Sequence, residues 1–198
     1  MKSTQDTAQK LLDAGLFLLS QKGFTAVGLT KILETAQVPK GSFYHYFSSK
    51  EEFGQRIIEQ YITNYKQQLS DLFATYPESG TRAMYEFWQA WSKQEQDGNG
   101  CLVVKLAAEV ADLSENMRQA LHQGCEEIIE LVAHRLAQAQ AAGEFKPEVD
   151  MNAFAQHLYF LWLGACTTYR LYRPVTSCLE ATTQQTSWLL AQVTMNKE

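Results

Sequence analysis

Pro39 stands between two helical patterns, and that placement limits what the first fifty residues can become. Leu29, Ile32, Leu33 and Ala36 fall at i, i+3, i+4 and i+7, one apolar stripe of a short helix. Pro39 cannot continue it, because its ring lacks an amide hydrogen and pushes Val38 away from helical dihedrals. After only three turn residues the helical pattern resumes as Lys40-Gly41-Ser42-Phe43-Tyr44-His45-Tyr46-Phe47. Two short helices joined by so brief a turn have the spacing of a helix-turn-helix, whose second helix lies in the major groove of DNA. A plain helical hairpin with core aromatics has the same spacing.

The flanking segments are also helical. Ala8, Leu11, Leu12, Gly15 and Leu19 form one stripe of a helix predicted from Thr4 to Lys22, and Gly23 stops it. Ser48 or Ser49 offers an N-cap to a long fourth helix reaching about Ala74, with Glu51 and Glu52 in its first turn. Breaks at Pro77 to Gly80, Asp97 to Gly100, Gly143 to Pro147 and Pro174 divide the remainder into long Leu-, Ala-, Gln- and Glu-rich stretches. About nine helices and no credible strand make the expected fold all-α. A three-helix head, residues 1–48, precedes a helical bundle, residues 49–198, that senses an effector and dimerises.

Phe43 and Phe47 lie one turn apart and turn inward, leaving Lys40, Ser42, Tyr44, His45 and Tyr46 on or near the exposed side. Four aromatics and a histidine fill Phe43 to Phe47, and one short helix cannot bury them all on one face. Exposed aromatics mark a binding surface, and these side chains suit phosphates, base edges and thymine methyls. The run GLTKILETAQVPKGSFYHYFSSKEEF closely resembles the N-terminal signature of the TetR family of bacterial regulators. One departure is Gln37, where many members place glycine in the turn. The resemblance implies that Thr30 and Lys31 approach DNA from the second helix and that Lys50 clamps a phosphate. It also implies a recognition surface of Lys40, Gly41, Ser42, Tyr44, His45 and Tyr46.

The segment from Gly100 to Ser114, GCLVVKLAAEVADLS, is similar to the NemR-like branch of that family. In that branch the cysteine is linked to sensing reactive electrophiles or oxidants. The residues support the same chemistry: Cys101 begins a helix, where unpaired amides favour a thiolate, and Lys105 adds a cation one turn on. A small buried hydrophobe is the other reading of Cys101. Cys125 and Cys166 read as packing, and Cys178 as accessible. Trp88 and Trp162 are candidates to line an aromatic pocket for a reversible small-molecule effector, and Arg170 is a candidate second cation.

Charge supports the division. Residues 1–56 hold seven Lys/Arg against five Asp/Glu, whereas residues 57–198 hold ten against seventeen. An acidic body on a slightly basic head directs nucleic-acid contact to the head. No signal peptide and no membrane-length apolar run are present, so a cytoplasmic protein without a membrane partner, its cysteines reduced, is expected. The histidines lack ligand spacing, so no metal is expected, and no cofactor is expected either. A thiol enzyme lacks a nucleophile elbow or phosphate loop, and a helical interaction module leaves the run Lys40 to Lys50 unexplained. The expected protein is therefore not an enzyme but a dimeric transcriptional repressor. Its partners are a near-palindromic double-stranded DNA operator, a second copy of itself, and a small effector that relieves binding. The homodimer is expected from Leu158, Leu161, Trp162 and Ala165 with Trp188, Leu189 and Val193.

Overall fold

The computed structural model describes residues 4–98, 100–172 and 175–195. Asn99 and Pro174, which the sequence places in loops, lie outside the described residues. Nine α-helices are present among those described: α1 Thr4–Lys22, α2 Leu29–Ala36, α3 Phe43–Tyr46, α4 Lys50–Thr75 and α5 Gly80–Gln96, then α6 Leu102–Leu113, α7 Glu115–Ala141, α8 Met151–Tyr172 and α9 Ser177–Val193. The only β-type pairing described is one isolated bridge between Phe145 and Thr194. No described helix is long and apolar enough to cross a membrane.

Local signals set these boundaries. Gly23 ends α1 at φ 82°, and its amide donates to the Leu19 carbonyl. Ser49 caps α4 by accepting from the Glu52 amide. The helical stretch expected over Lys40–Phe47 divides in two, a 3₁₀ turn at Lys40–Ser42 followed by α3. The Ser42 amide bonds to the Pro39 carbonyl three residues back, the tight closure that lets a helix start directly behind a proline.

The chain forms two compact units. The first comprises Met1–Asn64 and Cys101–Cys125, the second Tyr65–Gly100 and Glu126–Glu198. In the first, Leu11, Leu19, Phe24, Ile32, Phe43 and Phe53 are buried around a close crossing of α1 and α4 at Gly15, where an added Cβ would run into Phe53 and Ile57. In the second, Trp88 and Trp91 of α5 pack on Tyr159 and Trp162 of α8. The Trp88 indole donates to Thr183 of α9 and the Trp162 indole to Thr186.

Two expectations about the second unit are corrected by this packing. Leu158, Trp162 and Ala165 are buried inside the chain, so three of the four residues assigned to an α8 dimer stripe are core. The outward side of α8 carries Phe160 and Leu171 instead, and on α9 Trp188 is exposed as expected. Trp88 and Trp162 do not line an open pocket, because each is fully buried, stacked on the other, and hydrogen-bonded through its indole.

Candidate DNA interface and sensor thiol

The first unit presents its polar residues through a narrow aromatic anchor. Phe43 and Phe47 are buried, with ring centroids 5.2 and 4.8 Å from that of Phe53 on α4. Edge-to-face packing of this kind holds a helix of only four residues, which has no stability of its own. With those two rings inward, Tyr44 is 69% exposed, and His45, Gly41 and Lys40 are exposed as well. Ser42 and Tyr46 are half-buried. An added Cβ at Gly41 would meet nothing within 4 Å, so its backbone is open to close approach. Thr30 and Lys31 are exposed on α2, where Lys31 makes a long, solvent-screened pair of 3.9 Å with Glu34. Gln37 closes α2 in the left-handed region, φ 56°.

Lys50 opens α4, and its Nζ donates to the Phe24 carbonyl at 2.9 Å while lying 4.4 Å from the centre of the Phe24 ring. Desolvation lowers its pKa from the ordinary lysine value, against the attraction of Glu51 and Glu109. An ammonium carries three N–H groups, so the Phe24 carbonyl fixes the side chain and leaves donors for a further acceptor.

Cys101 is buried at the N-cap of α6, and its carbonyl accepts from the amide of Lys105, which is half-buried one turn along. The Tyr61 hydroxyl donates to the Cys101 sulfur at 3.9 Å. Two turns further along α6, Glu109 accepts from both the amide and the hydroxyl of Thr25 at 2.8 Å. The same carboxylate lies against Gly23, leaving no room for a side chain there. The helix that starts at Cys101 therefore holds the α1–α2 turn, and Lys50 holds the neighbouring residue of that turn.

Arg170, in the second unit, pairs with the fully buried Glu95 at 3.2 Å. A Cβ at Gly100 would run into both of them. The structure thus gathers the predicted DNA-facing residues on α2, the 3₁₀ turn, α3 and the start of α4, and Cys101 with Lys105 on α6. Trp88, Trp162 and Arg170 belong to the other compact unit. Sequence reasoning missed Tyr61, Glu109 and Glu95. Glu95 was signalled, since it continues the buried series Trp88, Trp91 and Ser92 at i+7 and an acid on a core stripe requires a partner. Tyr61 and Glu109 sit in ordinary half-exposed positions and carry no such signal.

An anchored short helix with polar and aromatic side chains projecting from it, directly after a second short helix and a tight turn, defines a helix-turn-helix DNA-binding regulator. Comparison with known proteins agrees. Residues 11–57 match the family described as bacterial regulatory proteins, tetR family, and residues 79–184 match the tetracyclin repressor-like C-terminal domain. The chain belongs to the TetR family of bacterial regulatory proteins. It is 42% identical over 163 residues to the HTH-type transcriptional repressor NemR of Escherichia coli strain K12, covering 81% of this chain and 82% of that protein. It is 35% identical over 170 residues to the transcriptional regulator AcuR of Cereibacter sphaeroides, covering 82% and 76%. The crystal structure of the reduced form of E. coli NemR superimposes with a TM-score of 0.87 at 36% identity, over 97% of this chain and 98% of that one. A regulatory protein TetR from Rhodobacter sphaeroides matches with a TM-score of 0.81 at 32% identity, over 91% and 97%. Relatives of this kind are regulators of transcription, and the chain is a DNA-binding regulator rather than an enzyme.

Proposed function

We propose that this regulator is a homodimeric repressor that leaves a near-palindromic operator when an electrophile or oxidant reacts with Cys101. In this reading residues 1–48 read the DNA and residues 49–198 sense and dimerise. Thr30, Lys31, Lys40, Gly41, Ser42, Tyr44, His45 and Tyr46 contact the groove and its phosphates, and Lys50 donates to a phosphate. The outward apolar residues Phe160 and Leu171 of α8 and Trp188 of α9 suit a symmetric helical interface.

One observation carries the sensing half of the proposal. Cys101 caps the helix whose Glu109 grips Thr25, the residue that leads into the helix-turn-helix. The Tyr61 hydroxyl donates to the sulfur, and Lys105 lies one turn along the same helix. The sulfur adds to one alkene carbon of an electrophile such as N-ethylmaleimide, the C=C π bond breaks, and its electron pair takes a proton from water at the other carbon. The adduct has no room at this buried position, so α6 and the turn it holds must shift. Moving an operator from 99% to 1% bound takes about 5.5 kcal/mol of differential stabilisation. A covalent adduct meets that at low effector concentration.

Cys101→Ser tests this directly. The variant is expected to bind operator fragments in a gel shift like the parent and to stay bound after N-ethylmaleimide, which releases the parent. A variant released as readily as the parent overturns the thiol reading. A reversible effector is the second reading, favoured by the buried Trp91 indole nitrogen, which has no hydrogen-bond partner among the described residues. Trp91 also lines a recess of about 50 Å³ with Tyr65 and Phe87.

A further inference from the structure

The second unit contains a groove of about 690 Å³, formed by the end of α4, the α4–α5 connection and the C-terminal half of α7. That volume falls in the range of small-molecule sites. Arg135 lines it and is only 6% exposed, yet no carboxylate among the described residues pairs with it. One guanidinium nitrogen, Nη2, donates to the Tyr76 and Pro77 carbonyls at 2.8 and 3.2 Å, which ties the side chain to the α4–α5 connection. Nε and Nη1 have no hydrogen-bond partner among the described residues. A largely desolvated cation without a carboxylate partner is costly, and Nη1 and Nε each retain an N–H for a single hydrogen bond to an anionic acceptor.

We infer that this groove is a binding site for a small organic carboxylate with an apolar body. Phe73, Leu131 and Ala142 supply apolar wall, and Gln138 supplies an amide to the same cavity. Two acids also line the groove. The oxygens of Glu144 are taken up by the Ser79 hydroxyl and the Gly80 and Thr81 amides at the start of α5. Glu78 is exposed, where solvent screens it. Neither acid pairs with Arg135 among the described residues. The site does not involve Cys101, so this inference is independent of the thiol reading.

The test is calorimetric titration of the full-length reduced protein with benzoate and with benzamide, its neutral isostere. Benzoate is expected to bind saturably and benzamide at least tenfold more weakly, while Arg135→Gln loses benzoate binding. Ala142→Trp fills the groove from an exposed position and leaves Arg135 in place, so it removes binding even where Arg135→Gln folds poorly. Circular dichroism checks the fold of both variants. Absence of saturable benzoate binding at millimolar concentration, equal affinity for benzamide, or benzoate binding that survives Ala142→Trp overturns the inference.

Discussion

Glu109→Ala is the perturbation that tests whether α6 has a mechanical hold on the DNA-binding head. Both Thr25 donors end on one oxygen of Glu109, at 2.8 Å each. A hydrogen bond to a charged group contributes about 1.5–3 kcal/mol. Here the two bonds share one acceptor and lie in partly exposed surroundings, so the loss is expected to be about 1–2 kcal/mol in total. Urea unfolding at one fixed protein concentration measures it. Thr25→Val removes only the hydroxyl, and a double-mutant cycle with Glu109→Ala is expected to show coupling of about 0.5–1 kcal/mol. In the same proteins, operator fragments should remain bound after N-ethylmaleimide more often in Glu109→Ala than in the parent, since the adduct at Cys101 no longer pulls on Thr25. Zero coupling together with unchanged release would refute the argument, because α6 would then touch the head without moving it.

Gln37→Gly relieves a left-handed residue at φ 56° and is expected to raise stability by about 0.5–1 kcal/mol in urea without changing operator affinity. Tyr44→Ala and Lys50→Ala separate readout from architecture: Tyr44 is exposed, so its loss lowers operator affinity at unchanged melting temperature. Lys50→Ala also frees the Phe24 carbonyl, so it costs stability of about 1 kcal/mol as well as reducing the salt slope of DNA binding by about one. Burial raises the pKa of Glu144, but the bonds from Thr81, Ser79 and Gly80 outweigh it and hold the group below its ordinary 4.5. A depressed carboxylate stabilises the fold above its unfolded pKa, and that contribution is lost as pH falls through the folded value. Glu144→Gln is therefore expected to be less stable than the parent at pH 7 and to lose less further stability on acidification, as thermal unfolding across pH 3 to 7 will show.

The helices themselves were legible because their causes are local. Pro39, Gly23 and the 3.6-residue stripes of α1 and α2 act within one or two turns, so the bounds Thr4–Lys22 and Leu29–Ala36 follow from sequence alone. The exposed aromatics of α3 were legible for the same reason, since a single turn cannot hide them. Stripe arguments failed on α8, which is apolar on two sides: Leu158, Trp162 and Ala165 face the core, while Phe160 and Leu171 face out. Periodicity finds an apolar face but cannot choose between two of them; only the packing of α5 and α9 against α8 makes that choice. The same limit hid the partners that matter most to function. Glu109 meets Thr25 across 84 residues of sequence, and Tyr61 meets Cys101 across 40. Nor does the sequence reveal that Arg135, one cation on a long helix, ends with two carbonyls and no acid. Backbone propensity and side-chain spacing determine each helix from its own residues, but such pairings depend on how the helices cross, and that is decided only when the cores close.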